Sequence, residues 1–278
     1  MMDEAPINSP ANSLLARAAD RLGGRRRLLI IAGAGTSADA GVPTFRDDDG
    51  LWQRYRVEDL ASREAFARDP ALVWRWYRER REQVATCQPH AGQRSLALLQ
   101  RCTPAPRRVM VATTNEDDLL ERAAVADVVH LHGSLYNTAC AGACGWRARD
   151  SEDNGLSFLP CPRCGAPVRP GSVWFGEPLP ADEMERLESF AADACLVVGS
   201  SSLVQPVAAI APEMLMMGHP VVEINATATP LSGMDGCLSL RGSARDTLPP
   251  LIDLMTSSLM RSRSSTAIDP SPPHGHLA

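Results

Sequence analysis

The sequence predicts an α/β fold, a doubly wound parallel sheet with a helical insertion and a smaller cysteine-rich domain. Three observations predict it: short apolar runs alternating with amphipathic segments, a glycine turn after the first run, and two closely spaced cysteine pairs. Apolar runs of this kind are typical of parallel strands that are buried on both faces. We expect strands at 27–32, 109–113, 128–132, 194–199 and 220–225. Helices are expected around them, at 11–22 and 91–101 among others.

Composition narrows the class of protein. The chain has 278 residues and a net charge of −5, so it can form one large domain with a small inserted one, and it is not a typical nucleic-acid-binding protein. It has no apolar run long enough for a transmembrane helix, and its N-terminus is unlike a secretory signal. Eight cysteines in a chain of this length favour a reduced compartment over a disulfide framework. We therefore expect a cytoplasmic monomer that binds neither membranes nor specific nucleic acids.

The cysteine pairs predict a metal site. Cys140 and Cys144 form the first pair, and Cys161 and Cys164 form the second. Two short-spaced thiolate pairs about twenty residues apart are typical of a tetrahedral zinc site. Since four cysteines close the coordination shell, we expect one structural zinc ion. The remaining cysteines are expected to be packing residues: Cys87, Cys102, Cys195 and Cys237.

Small and polar residues follow the predicted strands at the point where each strand ends. In open α/β sheets, ligands bind beyond the carboxyl ends of the strands. Five loops are therefore expected to converge on one crevice. The segments are 33–37, 113–117, His132, 199–202 and Asn225.

The first of these loops, Gly33-Ala34-Gly35, follows a strand and opens a helix. Small residues there let backbone N–H groups approach a pyrophosphate. The full dinucleotide-binding fingerprint is absent, because Ala38 stands where its third glycine would be. By itself, the motif fits a tight turn equally well.

Taken together and in order, the motifs resemble those of the sirtuins, the NAD-dependent protein lysine deacylases. The resemblance covers about residues 25–255. It rests on segments 33–46, 113–117 and 130–133, the four cysteines, and segments 173–177, 199–206, 223–225 and 242–244. It implies a Rossmann-like NAD-binding domain (11–53, 90–137 and 172–258), a helical part of the small domain (54–89) and a zinc-binding module (138–171). Residues 259–278, rich in Ser and Pro, are expected to be a disordered tail.

The resemblance also implies a mechanism. The acyl oxygen of an acylated protein lysine would attack the anomeric carbon of NAD and expel nicotinamide. His132 would be the general base that activates the ribose hydroxyl, a task that suits an imidazole. Asn115 and Asp117 would complete the catalytic set, whereas His130, on the opposite strand face, has no assigned role. The residues implied to bind NAD are Gly33, Ala34, Gly35, Thr36, Ser37, Phe45, Arg46, Trp52, Thr114, Asn115, Glu116, Asp117, Gly199, Ser200, Ser201, Asn225, Ala226, Thr227 and Ala244. Those implied to bind the substrate strand are Val173, Trp174, Phe175 and Gly176.

A further pattern concerns the acyl group. Tyr77 and Arg80 lie three residues apart, so they share a helix face, and they resemble the Tyr-x-x-Arg of sirtuins that remove succinyl and malonyl groups. Arginine is a planar, bidentate partner for an acyl carboxylate. Thr44 also resembles this branch. A solvated, Arg-rich helix with an aromatic core face is the alternative, and neighbouring Arg78 and Arg81 leave the choice of arginine open.

Some residues depart from the family pattern. Thr114 replaces the usual glutamine, Glu116 the usual isoleucine, and Gly171-Ser172 the usual His-Val. A carboxylate at position 116 would repel a substrate carboxylate or alter nicotinamide release. Two alternatives therefore stay open: a sirtuin-type NAD hydrolase or ADP-ribosyltransferase, and a non-catalytic NAD-binding protein.

Overall fold

The computed structural model describes residues 10–43, 60–142, 144–149 and 159–266, with only the backbone of 10–12 and 261–266. The helices are α1 (Pro10–Leu22), α2 (Ala34–Ala38), α3 (Arg63–Arg68), α4 (Pro70–Thr86), α5 (Ala91–Cys102), α6 (Leu119–Arg122), α7 (Ala181–Phe190), α8 (Val207–Met216) and α9 (Ala244–Thr266). The strands are β1 (Arg27–Ala32), β2 (Arg108–Thr113), β3 (Val129–His130), β4 (Gly133–Cys140), β5 (Arg147–Arg149), β6 (Val168–Ser172), β7 (Ala194–Val198), β8 (Val221–Asn225) and β9 (Cys237–Arg241). Within these residues no helix combines the length and apolarity needed to cross a membrane.

A parallel sheet of six strands forms the larger part of the fold, in the order β3-β2-β1-β7-β8-β9. Ile30 packs on one face of the sheet, in a core shared with α1, α5 and α9. Its neighbours Leu29 and Ile31 pack on the other face, against α7 and α8. Both faces are therefore covered, which explains why β1 is apolar from Leu28 to Ala32 and confirms the predicted doubly wound fold.

The smaller part of the fold packs α3 and α4 against a three-stranded antiparallel sheet, in the order β5-β4-β6. The Asp69 carboxylate caps α4 by accepting a hydrogen bond from the Leu72 N–H at 2.9 Å, and Pro70 begins the helix. Trp74 and Tyr77 of this helix are buried beside Trp174, in the same hydrophobic cluster. The predicted helical insertion is thus present at 63–86, and residues 44–59 lie outside the described part of the chain.

Several elements differ from the sequence prediction, which named no strand in 133–172 and so missed β4, β5 and β6. β3 contains only Val129 and His130, because the chain leaves the sheet edge to enter β4 at Gly133. β9 was not predicted, since this edge strand alternates between buried and exposed residues and has no apolar run. The last helix continues to Thr266, into the predicted tail, and its residues Leu248 and Ile252 are fully buried.

Candidate active site

The loops after β1 and β7 run in direct contact, which explains the glycines in both. The Gly33 N–H donates to the Val198 carbonyl oxygen at 2.9 Å, and the Gly35 N–H donates to that of Gly199 at 2.8 Å. A Cβ atom on Gly33 would lie 2.5 Å from the Ser200 Cα, and Gly199 has φ of +59°. Any side chain here would force the loops apart. The glycines thus form a narrow cradle of backbone, which fits the diphosphate of a dinucleotide.

Asn115 joins this cradle to the loop after β2. Its Nδ2 donates to the Gly33 carbonyl at 3.0 Å, to Thr36 Oγ1 at 3.1 Å and to Ser37 Oγ at 2.8 Å. Ala32, Thr113 and Val198 are partners across neighbouring parallel strands, so the loops that follow them begin at the same edge of the sheet. The predicted convergence of these loops is therefore present.

Asp117 is buried in the same network. Its Oδ2 accepts a hydrogen bond from Ser37 Oγ at 2.6 Å, and its Oδ1 accepts one from the Leu119 N–H at 3.1 Å. Burial raises the pKa of Asp117, and the Ser37 hydrogen bond opposes the shift only in part. A carboxylate is thus held where desolvation is unfavourable, as is common for residues that serve function rather than stability.

His132 lies between the loop after β2 and the smaller domain. Its carbonyl oxygen accepts a hydrogen bond from the Val173 N–H at 2.8 Å, so it adjoins the predicted substrate strand. Burial lowers the pKa of His132, while the Glu116 carboxylate and a hydrogen bond to the Thr114 backbone oppose the shift. The imidazole is therefore neutral at neutral pH and can accept a proton.

His130, to which the sequence assigned no role, has a supporting position. Its Nε2 lies 2.5 Å from Glu121 Oε1, and its Nδ1 lies 3.4 Å from the Asn115 carbonyl oxygen. Burial alone would lower the pKa of His130, but the bond with Glu121 outweighs it and raises the pKa. The imidazole thus connects α6 to the loop that carries Asn115.

His90 was missed by the sequence reasoning. It is buried at the N-terminus of α5, where its Nδ1 accepts a hydrogen bond from the Gly92 N–H at 3.0 Å. This leaves Nε2 to donate to the Thr36 carbonyl oxygen, 2.9 Å away. His90 therefore fixes the loop after β1 through the backbone of Thr36. The capping box with Gln93 was the available signal, but histidine is an uncommon N-cap residue.

Tyr77 and Arg80 lie side by side on α4, at the boundary with the larger domain. The buried Tyr77 hydroxyl accepts a hydrogen bond from Trp174 Nε1 at 3.0 Å. The Arg80 guanidinium lies 5.6 Å from the Tyr77 ring, and its Nη1 lies 2.5 Å from Glu116 Oε2. Burial raises the pKa of Tyr77 far above its usual value, and the Glu116 carboxylate raises it further. The hydroxyl therefore keeps its proton and can donate a hydrogen bond.

The structure also distinguishes among the arginines of α4. Arg81 Nε donates to the Leu135 carbonyl oxygen at 2.5 Å, and Arg78 is exposed. Arg80 is the arginine that lies on the face of Tyr77 and towards Glu116.

The predicted substrate segment forms a turn beside α3. Trp174 is buried, whereas Phe175 is 58% exposed and Gly176 is also exposed. Glu177 holds the turn, because it accepts a hydrogen bond from the Trp174 N–H at 3.0 Å and pairs with Arg169 at 2.8 Å. Phe175 and Gly176 are thus the part of this segment that a ligand can reach.

The predicted adenosine end lies at the far side of the sheet edge. Asn225 Nδ2 donates to the Ser200 carbonyl oxygen at 2.6 Å, which joins the loops after β7 and β8. Ser201 is partly buried, Ala226 and Thr227 are exposed, and Ala244 begins α9. Four predicted residues lie outside the described part of the chain: Thr44, Phe45, Arg46 and Trp52.

The four predicted zinc ligands form one cluster, with all sulfur atoms within 4.8 Å of one another. The Sγ atoms of Cys140 and Cys164 are 3.5 Å apart, and those of Cys144 and Cys161 are 3.6 Å apart. Zn–S bonds of about 2.3 Å in a tetrahedron require sulfur separations of about 3.8 Å, so the cluster fits zinc. The Gly142 N–H, 3.2 Å from Cys140 Sγ, stabilises a thiolate there.

The Sir2 family model matches residues 33–206 of the chain. A Pseudomonas aeruginosa protein named NAD-dependent protein deacylase 1 is 48% identical over 217 residues, which is 73% of this chain and 84% of that protein. An Archaeoglobus fulgidus protein of the same name is 41% identical over 227 residues, covering 81% and 91% of the two chains.

Solved structures agree with these sequence matches. A Sir2 homologue in complex with NAD superimposes with a TM-score of 0.78 at 38% identity, covering 91% of this chain and 96% of that one. A mutant Sir2 homologue in complex with ADP-ribose gives a TM-score of 0.77 at 36% identity, covering 91% and 99%. Since the family match spans more than half of the chain and the fold agrees along its length, the chain belongs to the Sir2 family.

Proposed function

We propose that this NAD-dependent protein lysine deacylase acts preferentially on acyl groups that end in a carboxylate, succinyl and malonyl, with acetyl as a weaker substrate. The observation that carries the proposal is the position of the Arg80 guanidinium, 5.6 Å from the centre of the Tyr77 ring on the same face of α4. Arginine binds a carboxylate through two parallel N–H groups, and the tyrosine adds a third donor. A methyl-ended acyl chain uses none of these donors.

NAD, when bound, supplies a sugar carbon from which nicotinamide departs. In the proposed roles, Gly33 and Gly35 let the diphosphate approach the backbone closely, Ser200 and Ser201 contact it, and Asn225 donates a hydrogen bond to the adenosine ribose. Asn115 and Asp117 orient the nicotinamide end. Their network with Thr36 and Ser37 supports this assignment, because it fixes both side chains at the cradle.

His132 accepts the proton of a ribose hydroxyl in the proposed mechanism. Two features support this role: its lowered pKa and its backbone contact with Val173 of the substrate strand. A positioned general base contributes roughly 10²–10⁴-fold to the rate.

Zinc acts structurally in this proposal. Four thiolates complete its coordination and leave no position for a reacting water. The Cys161 and Cys140 side chains pack in the hydrophobic cluster that also contains Tyr77 and Trp174. Zinc therefore stabilises the packing around Tyr77, which lines the proposed acyl pocket together with Arg80 and Glu116.

We also propose a cytoplasmic monomer. The thiols of the zinc cluster need a reducing compartment, which supports the cytoplasmic location.

Arg80→Met tests the acyl preference. Truncating a partly buried charge partner costs about 2 kcal/mol or more, so kcat/KM for a succinyl-lysine peptide should fall by at least about thirtyfold. Loss of acetyl turnover should be much smaller. Arg78→Met, an exposed arginine on the same helix, is the matched control and should change neither substrate.

Equal losses for the two peptides would show that Arg80 does not bind the acyl carboxylate. Product analysis separates the remaining alternative, because an NAD hydrolase would release free ADP-ribose and leave both peptides intact. The chain contains no lysine, so the enzyme itself gives no acyl-lysine background.

A further inference from the structure

The arginine assigned to the acyl carboxylate already has a carboxylate partner inside the protein. Arg80 Nη1 lies 2.5 Å from Glu116 Oε2, and the two side chains are 17% and 11% exposed. Arg80 belongs to α4 in the smaller domain, whereas Glu116 lies in the loop after β2 of the parallel sheet. The ion pair therefore joins the two parts of the fold, at the proposed acyl pocket.

The loop, not the ion pair, fixes the position of Glu116. Its carbonyl oxygen accepts hydrogen bonds from the Leu135 N–H at 2.8 Å and from Ser134 Oγ at 3.4 Å. These bonds use only the backbone of Glu116. The carboxylate is thus presented to Arg80 by main-chain contacts that a side-chain substitution leaves in place.

The charge of Glu116 acts on the whole pocket. Burial raises the pKa of Tyr77 most, and the Glu116 carboxylate is the next largest cause. The same carboxylate also acts to raise the pKa of His132. A neutral acyl chain leaves the Arg80–Glu116 pair intact, so the positive and negative charges in the pocket stay balanced. An acyl chain that ends in a carboxylate brings a second anion to one guanidinium, and like charges at close range repel.

We propose that Glu116 is a specificity-determining residue, which competes with the acyl carboxylate for Arg80 and thereby shifts selectivity from acidic towards neutral acyl groups. The inference rests on the proposed function, since it takes Arg80 as the residue that binds the acyl carboxylate. It predicts that the Glu116 carboxylate reduces the preference of the enzyme for succinyl over acetyl groups.

The test compares kcat/KM for succinyl-lysine and acetyl-lysine peptides of identical sequence in Glu116→Gln. Glutamine keeps the shape of the side chain and removes its charge. Because both peptides use the same NAD, the succinyl-to-acetyl ratio cancels any general effect on the cofactor. Exposed ion pairs shift an equilibrium by up to about fivefold and buried ones by more than about thirtyfold. For this partly buried pair, the ratio should rise about tenfold.

Glu183→Gln is the matched control. Glu183 pairs with Arg186 on α7 at 2.6 Å, so the substitution removes one carboxylate from an Arg–Glu pair that lies outside the pocket. Its ratio should equal that of the wild-type enzyme. If Glu116→Gln does not fold, as judged by thermal melting, Glu116→Ile provides the same test and should also raise the ratio.

An unchanged ratio in Glu116→Gln would overturn the inference. A lower ratio would overturn it too, because it would mean that Glu116 holds Arg80 in place for the substrate. Arg80→Met separates this from a failure of the proposed function. If the succinyl-to-acetyl ratio falls in Arg80→Met and stays constant in Glu116→Gln, Arg80 binds the acyl carboxylate but Glu116 does not compete for it. If Arg80→Met leaves the ratio unchanged, the proposed function fails and the inference fails with it.

Discussion

Replacing Gly33 with alanine tests whether the loops after β1 and β7 form one cofactor cradle. The new Cβ would lie 2.5 Å from the Ser200 Cα and 2.8 Å from the Gly199 carbonyl oxygen, and both are backbone atoms. Neither can rotate away, so the loops must separate. Overpacking of this kind costs about 1–3 kcal/mol.

For a domain of this size, each kcal/mol lowers Tm by roughly 2–4 °C, so the expected loss is several degrees. The larger effect should be on NAD. A ligand at 100 times its Kd stabilises a protein by about 2.7 kcal/mol, and Gly33→Ala should lose most of that stabilisation. Differential scanning fluorimetry with and without NAD measures both quantities.

Gly233→Ala is the matched control. A Cβ atom there meets no atom within 4 Å, so Tm and its increase with NAD should stay close to the wild-type values. A Gly33→Ala protein that kept the full NAD-induced increase would refute the reasoning, because the contact between the loops would then not matter for binding.

Three further outcomes are expected from the site and the zinc cluster. His132→Ala should lower kcat by about 10²–10⁴-fold and keep the NAD-induced rise in Tm, and a variant with near-normal turnover would remove its assigned role. Because burial lowers the pKa of His132, the acidic limb of the wild-type pH profile of kcat/KM should lie below pH 6.5, and Glu116→Gln should move it lower still. Cys161→Ser should reduce bound zinc from about one to near zero per chain and lower Tm, whereas Cys102→Ser should keep the zinc; a metal-free but folded wild-type protein would contradict the assignment.

The sequence predicted the central strands because strands that are buried on both faces consist of continuous apolar runs. Edge strands lack that signal. β9 alternates buried Leu238 and Leu240 with more exposed neighbours, and β3 is too short to form a run. The start of α9 was within the matched motifs, but its extension depends on packing against α5, which no local pattern reveals.

The residues of the candidate site were singled out by residue type and order, whereas the contacts between them could not be predicted. Contacts such as Asn115 with Ser37 and His90 with Thr36 join residues far apart in the chain. The sequence raised repulsion by Glu116 as a possibility. It could not show that Glu116 pairs with Arg80, because that contact depends on how α4 docks against the loop after β2.

Mass-spectrometric turnover of paired succinyl-lysine and acetyl-lysine peptides, with and without NAD, tests the central claim most directly. We predict NAD-dependent loss of the succinyl group, formation of O-succinyl-ADP-ribose and slower loss of the acetyl group. Consumption of NAD to free ADP-ribose, with both peptides unchanged, would contradict the account.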